Sequence, residues 1–147
     1  MPIMQLNHFS IRTTDLDATR RFYTEVMGLT EGPRPPFPFP GAWLYSGDHG
    51  SYDNATVHVI GIDLNDPEGL KIYLGDRDLS TLQGTGTIDH IAFFATGVEE
   101  MRERLVRAGI EFRERTVPLL GLHQIFVNDP SGVVIELNYP SGELVSG

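Results

Sequence analysis

The sequence predicts an α+β fold made of two βαβββ modules, each with one strand, one helix and three further strands. The main observation is an internal repeat, in which the segment from His8 aligns without a gap with the segment from His90. In both copies helical patterning follows the first strand, and three strand-like runs follow the helix. We therefore divide the chain of 147 residues into module one at 1–61, a linker at 62–86 and module two at 87–147, within a single domain.

Each module begins with a strand that leads into an amphipathic helix. A Thr-x-x-Asp sequence at 14–17 and a Thr-x-x-Glu sequence at 96–99 predict a capping box at the start of each helix. Residues at helical spacing then form one apolar face in each copy: Leu16, Thr19, Phe22, Tyr23, Val26 and Met27 in module one, and Val98, Met101, Leu105 and Ala108 in module two. Gly28 and Gly109 are predicted to end the two helices in the left-handed conformation.

Three strands complete each module. The strand-like runs lie near 29–34, 41–46 and 55–61 in module one, and near 110–116, 122–128 and 132–139 in module two. Prolines crowd the segment 31–41, and because they remove backbone donors they predict a stiff loop there. The linker is rich in Asp and Gly, so we expect it to be solvated, with one short strand at 70–74.

The composition excludes several classes of protein. Lys and Arg total 11 against 20 Asp and Glu, and the formal charge of −9 disfavours nucleic acids and anionic membrane surfaces as partners. Cysteine is absent, which excludes disulfides and thiolate metal sites. No apolar run approaches the roughly 18 residues that span a bilayer, and the N-terminus lacks the pattern of a signal peptide. We therefore expect a cytoplasmic protein.

Four side chains that can bind metals occupy equivalent positions in the two modules. Strand alternation places apolar residues on the face toward the helix, and on the opposite face one ligand-type residue in the first strand and one in the fourth. These residues are His8 and His58 in module one, and His90 and Glu136 in module two. Three imidazoles and one carboxylate suit a divalent metal such as Zn, Fe(II), Mn, Co or Ni. If the modules pair around a pseudo-twofold axis, the four side chains meet in one cavity.

Each of these residues also has a structural interpretation. A single His in a strand is more often a hydrogen-bonded structural residue than a ligand, and Glu136 could be an exposed charge at the rim of a sheet. A buried carboxylate, however, needs a partner, because an unpaired buried charge is costly. The metal interpretation therefore depends on the equivalence of the four positions.

The residues and their surroundings resemble the vicinal oxygen chelate superfamily, which comprises glyoxalases, bleomycin resistance proteins and extradiol dioxygenases. The motifs that carry the resemblance are Asn7-His8-Phe9, Phe22-Tyr23, Val57-His58-Val59, Asp89-His90-Ile91, and the segment from Phe126 to Gly132 followed by Ile135-Glu136-Leu137. The resemblance covers nearly the whole chain. It implies the glyoxalase-like fold, in which the two modules pair into an open, curved eight-stranded sheet, and it implies a homodimer.

The resemblance also implies a function. His8, His58, His90 and Glu136 fall on the metal-ligand positions of the superfamily. The implied substrate is a small molecule whose adjacent oxygens chelate the metal, which acts as a Lewis acid. Bacterial glyoxalase I enzymes usually have Glu at the position of His58, so this chain lacks one candidate base, and Glu136 remains as a catalytic candidate. Lyase or isomerase chemistry is favoured.

Two alternatives remain open at this point. In an extradiol dioxygenase His8, His90 and Glu136 would hold Fe(II), while His58 and His123 would act as acid–base residues. That family has Tyr where this chain has Phe126, which makes ring cleavage less favoured.

The second alternative is a metal-free drug-binding protein of the bleomycin-resistance type. Aromatic side chains around Trp43 could stack on a ligand or simply pack in the core. For a small-molecule substrate we place Arg12, Phe37, Trp43 and Phe126 in the binding pocket.

Overall fold

The computed structural model describes residues 4–75, 82–86 and 88–144, apart from the side chains of residues 73, 74 and 119. The chain divides into two compact units, Met1–Leu82 and Gln83–Gly147. Each unit contains one strand, one helix and three further strands in the predicted order. The α+β class and the duplicated βαβββ module are therefore confirmed.

The first unit is built around a four-stranded sheet. Its elements are strands β1 (Phe9–Thr13), β2 (Thr30–Gly32), β3 (Gly41–Tyr45) and β4 (Ala55–Gly61), with helices α1 (Leu16–Arg21) and α2 (Glu68–Leu74). The strand order is β1-β4-β3-β2, with β1 parallel to β4 and the other neighbours antiparallel. A π-helical turn at Phe22–Val26 extends α1, and Gly28 follows it at a φ of 81°.

The second unit repeats this arrangement. Its elements are β5 (Ile91–Phe94), helix α3 (Val98–Arg107), β6 (Phe112–Val117), β7 (Leu122–Asn128) and β8 (Val134–Pro140). The strand order is β5-β8-β7-β6, again with only the first pair parallel among the described strands. Gly109 follows α3 at a φ of 69°, as predicted. The eight strands thus form two sheets of four.

The repeat extends to the residue register of the two sheets. In each sheet the last strand of the module places one residue between two equivalent neighbours: Ser10, His58 and Trp43 in the first sheet, and Ala92, Glu136 and Phe126 in the second. Because cross-strand neighbours lie on the same face of a sheet, each row points to one side. The candidate ligands His58 and Glu136 therefore occupy the same position in the two copies.

The opposite face of each sheet forms a core with the helices. In β4 every second residue is fully buried, including Val57 and Val59. In the second unit Leu105 of α3 and Ile125 of β7 have no exposed surface. Burial of one such side chain contributes about 1.5–3 kcal/mol to stability. These cores orient the strands, and alternation then directs His58 and Glu136 to the other face, while His8 and His90 immediately precede β1 and β5.

The helix caps differ from the prediction. The carboxylate of Asp15 accepts a hydrogen bond from the backbone N–H of Ala18 at 3.1 Å and so caps α1. At α3 the cap comes from Glu143, whose carboxylate accepts from the backbone N–H groups of Gly97 and Val98 at 3.0 and 3.1 Å. The predicted capping boxes are therefore wrong. Local sequence does not reveal that an acidic side chain distant along the chain reaches the helix start.

The strand predicted at 70–74 is also wrong, because α2 occupies Glu68–Leu74. A short apolar run does not distinguish a strand from a buried helix. The helix lies against the proline-rich loop, and a Cβ added at Gly69 would come within 1.6 Å of the Pro38 carbonyl oxygen. Strand β2 is shorter than predicted and ends before Pro33, which has no backbone donor. No helix in the described part of the chain is long and apolar enough to span a membrane.

Candidate functional site

In the first unit His8 and His58 lie face to face. Their ring centroids are 3.7 Å apart, with an interplanar angle of 16°. Trp43 stacks on the other side of His58 at 3.8 Å and 8°. The three rings line a cavity of about 170 Å³, which Phe37 and Phe39 help to enclose. The first unit therefore brings its two predicted ligands together in an aromatic pocket.

The surroundings of His58 keep its imidazole neutral. Burial lowers the pKa of His58 to about 4, and the nearby His8 acts in the same direction. A hydrogen bond to the Ala55 backbone raises this pKa but does not offset the burial. The Nε2 atom of His58 is buried and has no hydrogen-bond partner among the described residues. A neutral imidazole with an unpartnered nitrogen is the form that binds a metal.

In the second unit a chain of hydrogen bonds fixes the carboxylate of Glu136. Its Oε2 accepts from the Asn138 side chain at 2.9 Å, and the Asn138 oxygen accepts from Gln124 at 2.8 Å. The Gln124 oxygen in turn accepts from Arg115 at 2.6 Å. The other carboxylate oxygen, Oε1, lies 3.6 Å from the Nε2 atom of His90. This series of hydrogen bonds thus orients Oε1 of Glu136 toward His90.

The residue before two of the three predicted histidine ligands, His8 and His90, is hydrogen-bonded to that histidine. The Nδ1 atom of His8 lies 2.6 Å from the side-chain oxygen of Asn7, and that of His90 lies 2.8 Å from the carboxylate of Asp89. The Asn7 amide nitrogen donates to the backbone carbonyl of Asp53 at 2.8 Å, which orients its oxygen toward the ring. A hydrogen bond from Nδ1 leaves the lone pair on Nε2, as in metal-bound histidines.

The spacing of the donor atoms in the second pair, His90 and Glu136, fits a divalent metal. Two ligands at about 2.1 Å from one metal lie roughly 3.0–3.4 Å apart, close to the 3.6 Å between His90 and Glu136. The described residues contain no group of three or more His, Asp or Glu side chains placed to hold a metal ion. Each unit contributes two of the four predicted ligands, and the four-ligand site remains a prediction.

His123 lies on the opposite face of the second sheet from Glu136. It is buried together with Ile125 of the same strand, on the side that packs against α3. Its Nδ1 bonds to the Thr116 hydroxyl at 2.9 Å, and its Nε2 lies 3.3 Å from Glu114. The acid–base role predicted for His123 therefore has no support from its surroundings. Alternation along β7 places His123 with Ile125 and Val127 on the apolar face.

The predicted pocket residues fall in different places. Phe37 and Trp43 line the pocket of the first unit, as predicted. Phe126 lies opposite Glu136 in the second sheet, with its ring centroid 6.3 Å from that of His90. Arg12 lies in register with Ile60 and is outside the lining of the aromatic pocket.

Several residues near the candidate ligands had no role predicted from the sequence. Asn7 and Asp89 stand at equivalent positions of the repeat, and that equivalence is the signal that could have found them. The partnership of Gln124 with Asn138 had no comparable signal, because it depends on the pairing of β7 with β8.

Comparison with known proteins identifies the family. The family model of the Glyoxalase/Bleomycin resistance protein/Dioxygenase superfamily matches residues 5–137. The chain belongs to this superfamily. The matched range includes all four predicted metal ligands, from His8 to Glu136. The resemblance inferred from the sequence motifs is therefore confirmed.

Similar proteins within the glyoxalase superfamily include curated and solved examples. The chain is 29% identical to Glyoxylase I 4 of Arabidopsis thaliana over 143 residues, covering 92% of this chain and 70% of that protein. Its fold is similar to that of lactoylglutathione lyase from Agrobacterium tumefaciens, with a TM-score of 0.60, 21% identity and full coverage of both chains. It is also similar to the fosfomycin resistance protein FosX from Listeria monocytogenes, with a TM-score of 0.63, 19% identity and coverage of 97% and 100%. These structures support the glyoxalase-like fold.

Proposed function

We propose that this protein is a divalent-metal-dependent enzyme of the lyase or isomerase type. Its substrate would be a small molecule whose two adjacent oxygens chelate the metal. The observation that carries the proposal is the pair of equivalent histidines, His8 and His90, each with Nδ1 engaged by the preceding side chain. That arrangement orients Nε2 for metal binding. The names of the plant relative and of the bacterial lyase agree with this class of reaction.

The ligand set we propose contains His8, His58, His90 and Glu136. Three neutral imidazoles and one carboxylate leave a net positive charge when a divalent metal is bound, which favours an anionic, oxygen-chelating substrate. The metal would supply Lewis-acid stabilisation of negative charge on the substrate oxygens. The set takes two residues from each unit, from one chain or from two chains of a homodimer.

The residues of the chain would supply the remaining chemistry. Glu136 is also the side chain we assign to proton movement, which its Oε1 would carry out on leaving the metal, because Asn138 holds Oε2. Trp43 and Phe37 enclose the pocket beside His58 and would exclude water from the reacting atoms. Exclusion of water strengthens electrostatic interactions at the site.

The dioxygenase alternative loses one of its arguments. It requires acid–base residues beside the metal, and His123 instead contacts Glu114 and Thr116 on the other face of the sheet. Phe126 also has no hydroxyl to offer. Metal identity distinguishes the two reactions, since the dioxygenase needs Fe(II). Elemental analysis of anaerobically purified protein should therefore give Ni, Co, Zn or Mn rather than iron.

Metal binding tests the proposal directly. Metal-free protein is titrated with Co²⁺ and with Zn²⁺, and affinity is measured by calorimetry and by competition with a chelating dye. We expect about one metal per chain, and a loss of at least tenfold in affinity in each of His8→Ala, His90→Ala and Glu136→Ala. His49→Ala is the matched control, because His49 is exposed and outside the proposed set. Wild-type affinity in all three variants, or no uptake by the wild type, would overturn the proposal in favour of a metal-free binding protein.

Mixing two variants tests whether the four proposed ligands come from one chain or from two. If each site combines pairs from two chains of a homodimer, mixed dimers of His8→Ala and His90→Ala regain one intact site per dimer. If both pairs come from one chain, mixing restores no tight binding. Sedimentation of the wild type measures the oligomeric state that this comparison requires.

A further inference from the structure

Two arginines of β6 lie over the ring of Phe126. The guanidinium carbons of Arg113 and Arg115 are each 5.0 Å from the ring centroid. They lie on one face of the strand, because side chains alternate along it. Arg113 is in register with Phe126, which is in register with Glu136. The arginines and the candidate ligand pair of the second unit therefore share one face of the sheet.

These two arginines differ from Arg20 and Arg104 because they lie side by side over one ring and form no ion pair among the described residues. Arg20 pairs with Glu31 at 3.1 Å, and Arg104 pairs with Glu100 at 2.8 Å. Within the described ranges, Arg113 and Arg115 form no ion pair with an Asp or Glu. Two neighbouring cations without a counter-charge repel each other. In a chain with a formal charge of −9, such a pair is an unusual local concentration of positive charge.

The position of the pair suits recognition of a small anion. Arg113 and Phe126, together with Glu111, line an open groove of about 820 Å³ along the ends of β6 and β7, and Arg115 lies outside this lining. The Nε of Arg115 is held by Gln124, at the end of the hydrogen-bond chain that begins at Glu136. This bond fixes the guanidinium while its remaining N–H groups can bind another acceptor. The ring of His90 lies next to the same Phe126.

The first unit lacks this feature. The residue opposite Trp43 in the first sheet, equivalent to Arg113 opposite Phe126, is Gly32. A site for an anionic group is therefore a property of the second copy alone at this position of the register.

We propose that Arg113 and Arg115 form an anion-binding subsite that recognises a carboxylate or phosphate-type group on the substrate. The substrate class is then an acidic small molecule whose chelating oxygens lie near its anionic group. Planar guanidinium groups bind such oxyanions with paired hydrogen bonds. This inference rests on the proposed function, because the anionic group is recognised beside the metal that the substrate chelates.

Two probes that differ by one carboxymethyl group test the subsite on metal-loaded protein. Acetohydroxamate chelates a metal through two adjacent oxygens, and succinate monohydroxamate carries the same chelating group with a carboxylate added. We expect the wild type to bind succinate monohydroxamate at least tenfold more tightly. In Arg113→Gln/Arg115→Gln this preference, the ratio of the two affinities, should fall to less than threefold. Arg21→Gln/Arg107→Gln is the control, since it removes the same charge from two exposed arginines.

A second measurement separates failure of the subsite from failure of the proposed function. Metal-free protein is titrated with inorganic phosphate while the guanidinium Nε–H signals are followed by NMR. Shifts at Arg113 and Arg115, and none at Arg21 and Arg107, support the subsite whether or not a metal binds. Absence of these shifts, or equal preference for the two hydroxamates in the wild type and in Arg113→Gln/Arg115→Gln, overturns the subsite. Failure of both hydroxamates to bind, with the phosphate shifts present, overturns only the metal-dependent function.

Discussion

The two copies of the module hold their candidate ligands at the same register position by different physical means. His58 is held between two rings, and burial with little hydrogen bonding lowers its pKa to about 4. Glu136 is held by a hydrogen-bond chain through Asn138 and Gln124, all three being buried. A neutral nitrogen tolerates an apolar pocket, whereas a buried carboxylate requires donors. The duplicated backbone therefore sets the positions, and the side chains around each position determine what it can do.

This difference between the two copies predicts that Glu136→Ala causes the largest loss of metal affinity. It removes one ligand and the only negative charge of the proposed set, so we expect metal affinity to fall at least 100-fold. Competition with a chelating dye measures the loss. Glu103→Ala, at an exposed position of α3, should bind as the wild type does. An affinity within threefold of the wild type would mean that the hydrogen-bond chain serves stability alone.

His58→Ala tests the role of the imidazole that is stacked between His8 and Trp43 in the first unit. If His58 is a ligand, affinity should fall about tenfold to 100-fold, less than in Glu136→Ala because no charge is lost. If it acts beside the metal as a base, affinity stays constant while turnover falls. Parallel measurement of affinity and kcat distinguishes these roles, and Trp43→Leu controls for disturbance of the ring stack.

Asn138→Leu tests whether the hydrogen bonds of Asn138 position Glu136, or whether the Asn138 side chain only contributes packing. The substitution frees Oε2 and leaves the Gln124 amide without its partner, which should cost about 1–3 kcal/mol of stability. We also expect metal affinity to fall about tenfold, since orientation of a ligand is lost. Denaturant titration and metal titration are both required. A loss of stability with wild-type affinity would assign Asn138 a purely structural role.

The smallest predicted effect is a change in stability caused by Glu114→Gln, on the face of the second sheet that packs against α3. Burial raises the pKa of Glu114, but hydrogen bonds from Arg102 and His123 outweigh it and hold the pKa below its usual value of 4.5. A carboxylate with a lowered pKa stabilises the fold above pH 4.5, and the contribution is lost as the pH falls further. Glu114→Gln should therefore lose about 1 kcal/mol at neutral pH and show less acid sensitivity. Urea unfolding at pH 3.5 and 7 measures both quantities, and metal affinity should not change.

The fold and the positions of the candidate ligands could be predicted because each depends on local periodicity and on one repeat. Alternation along single strands placed His8, His58, His90 and Glu136 opposite the helix-facing residues, and the structure brings each unit's pair together. The role predicted for His123 came from the resemblance to extradiol dioxygenases instead, and alternation along β7 places this residue on the face of Ile125. The predicted capping boxes and the predicted strand at 70–74 were wrong because the observed structure depends on contacts between distant residues. The hydrogen bond from Val98 at the start of α3 to Glu143 is one such contact.

The α+β class, the duplicated module and the identity of the candidate ligands follow from side-chain periodicity within short segments, so the sequence alone predicts them. The packing of the folded chain sets the state of each donor atom: Oε2 of Glu136 accepts from Asn138, and Nε2 of His58 has no partner among the described residues. It also decided that Arg113 and Arg115 lie over Phe126. The physical reason is that hydrogen bonds and burial join residues far apart in the chain, and only strand register and packing bring those residues together.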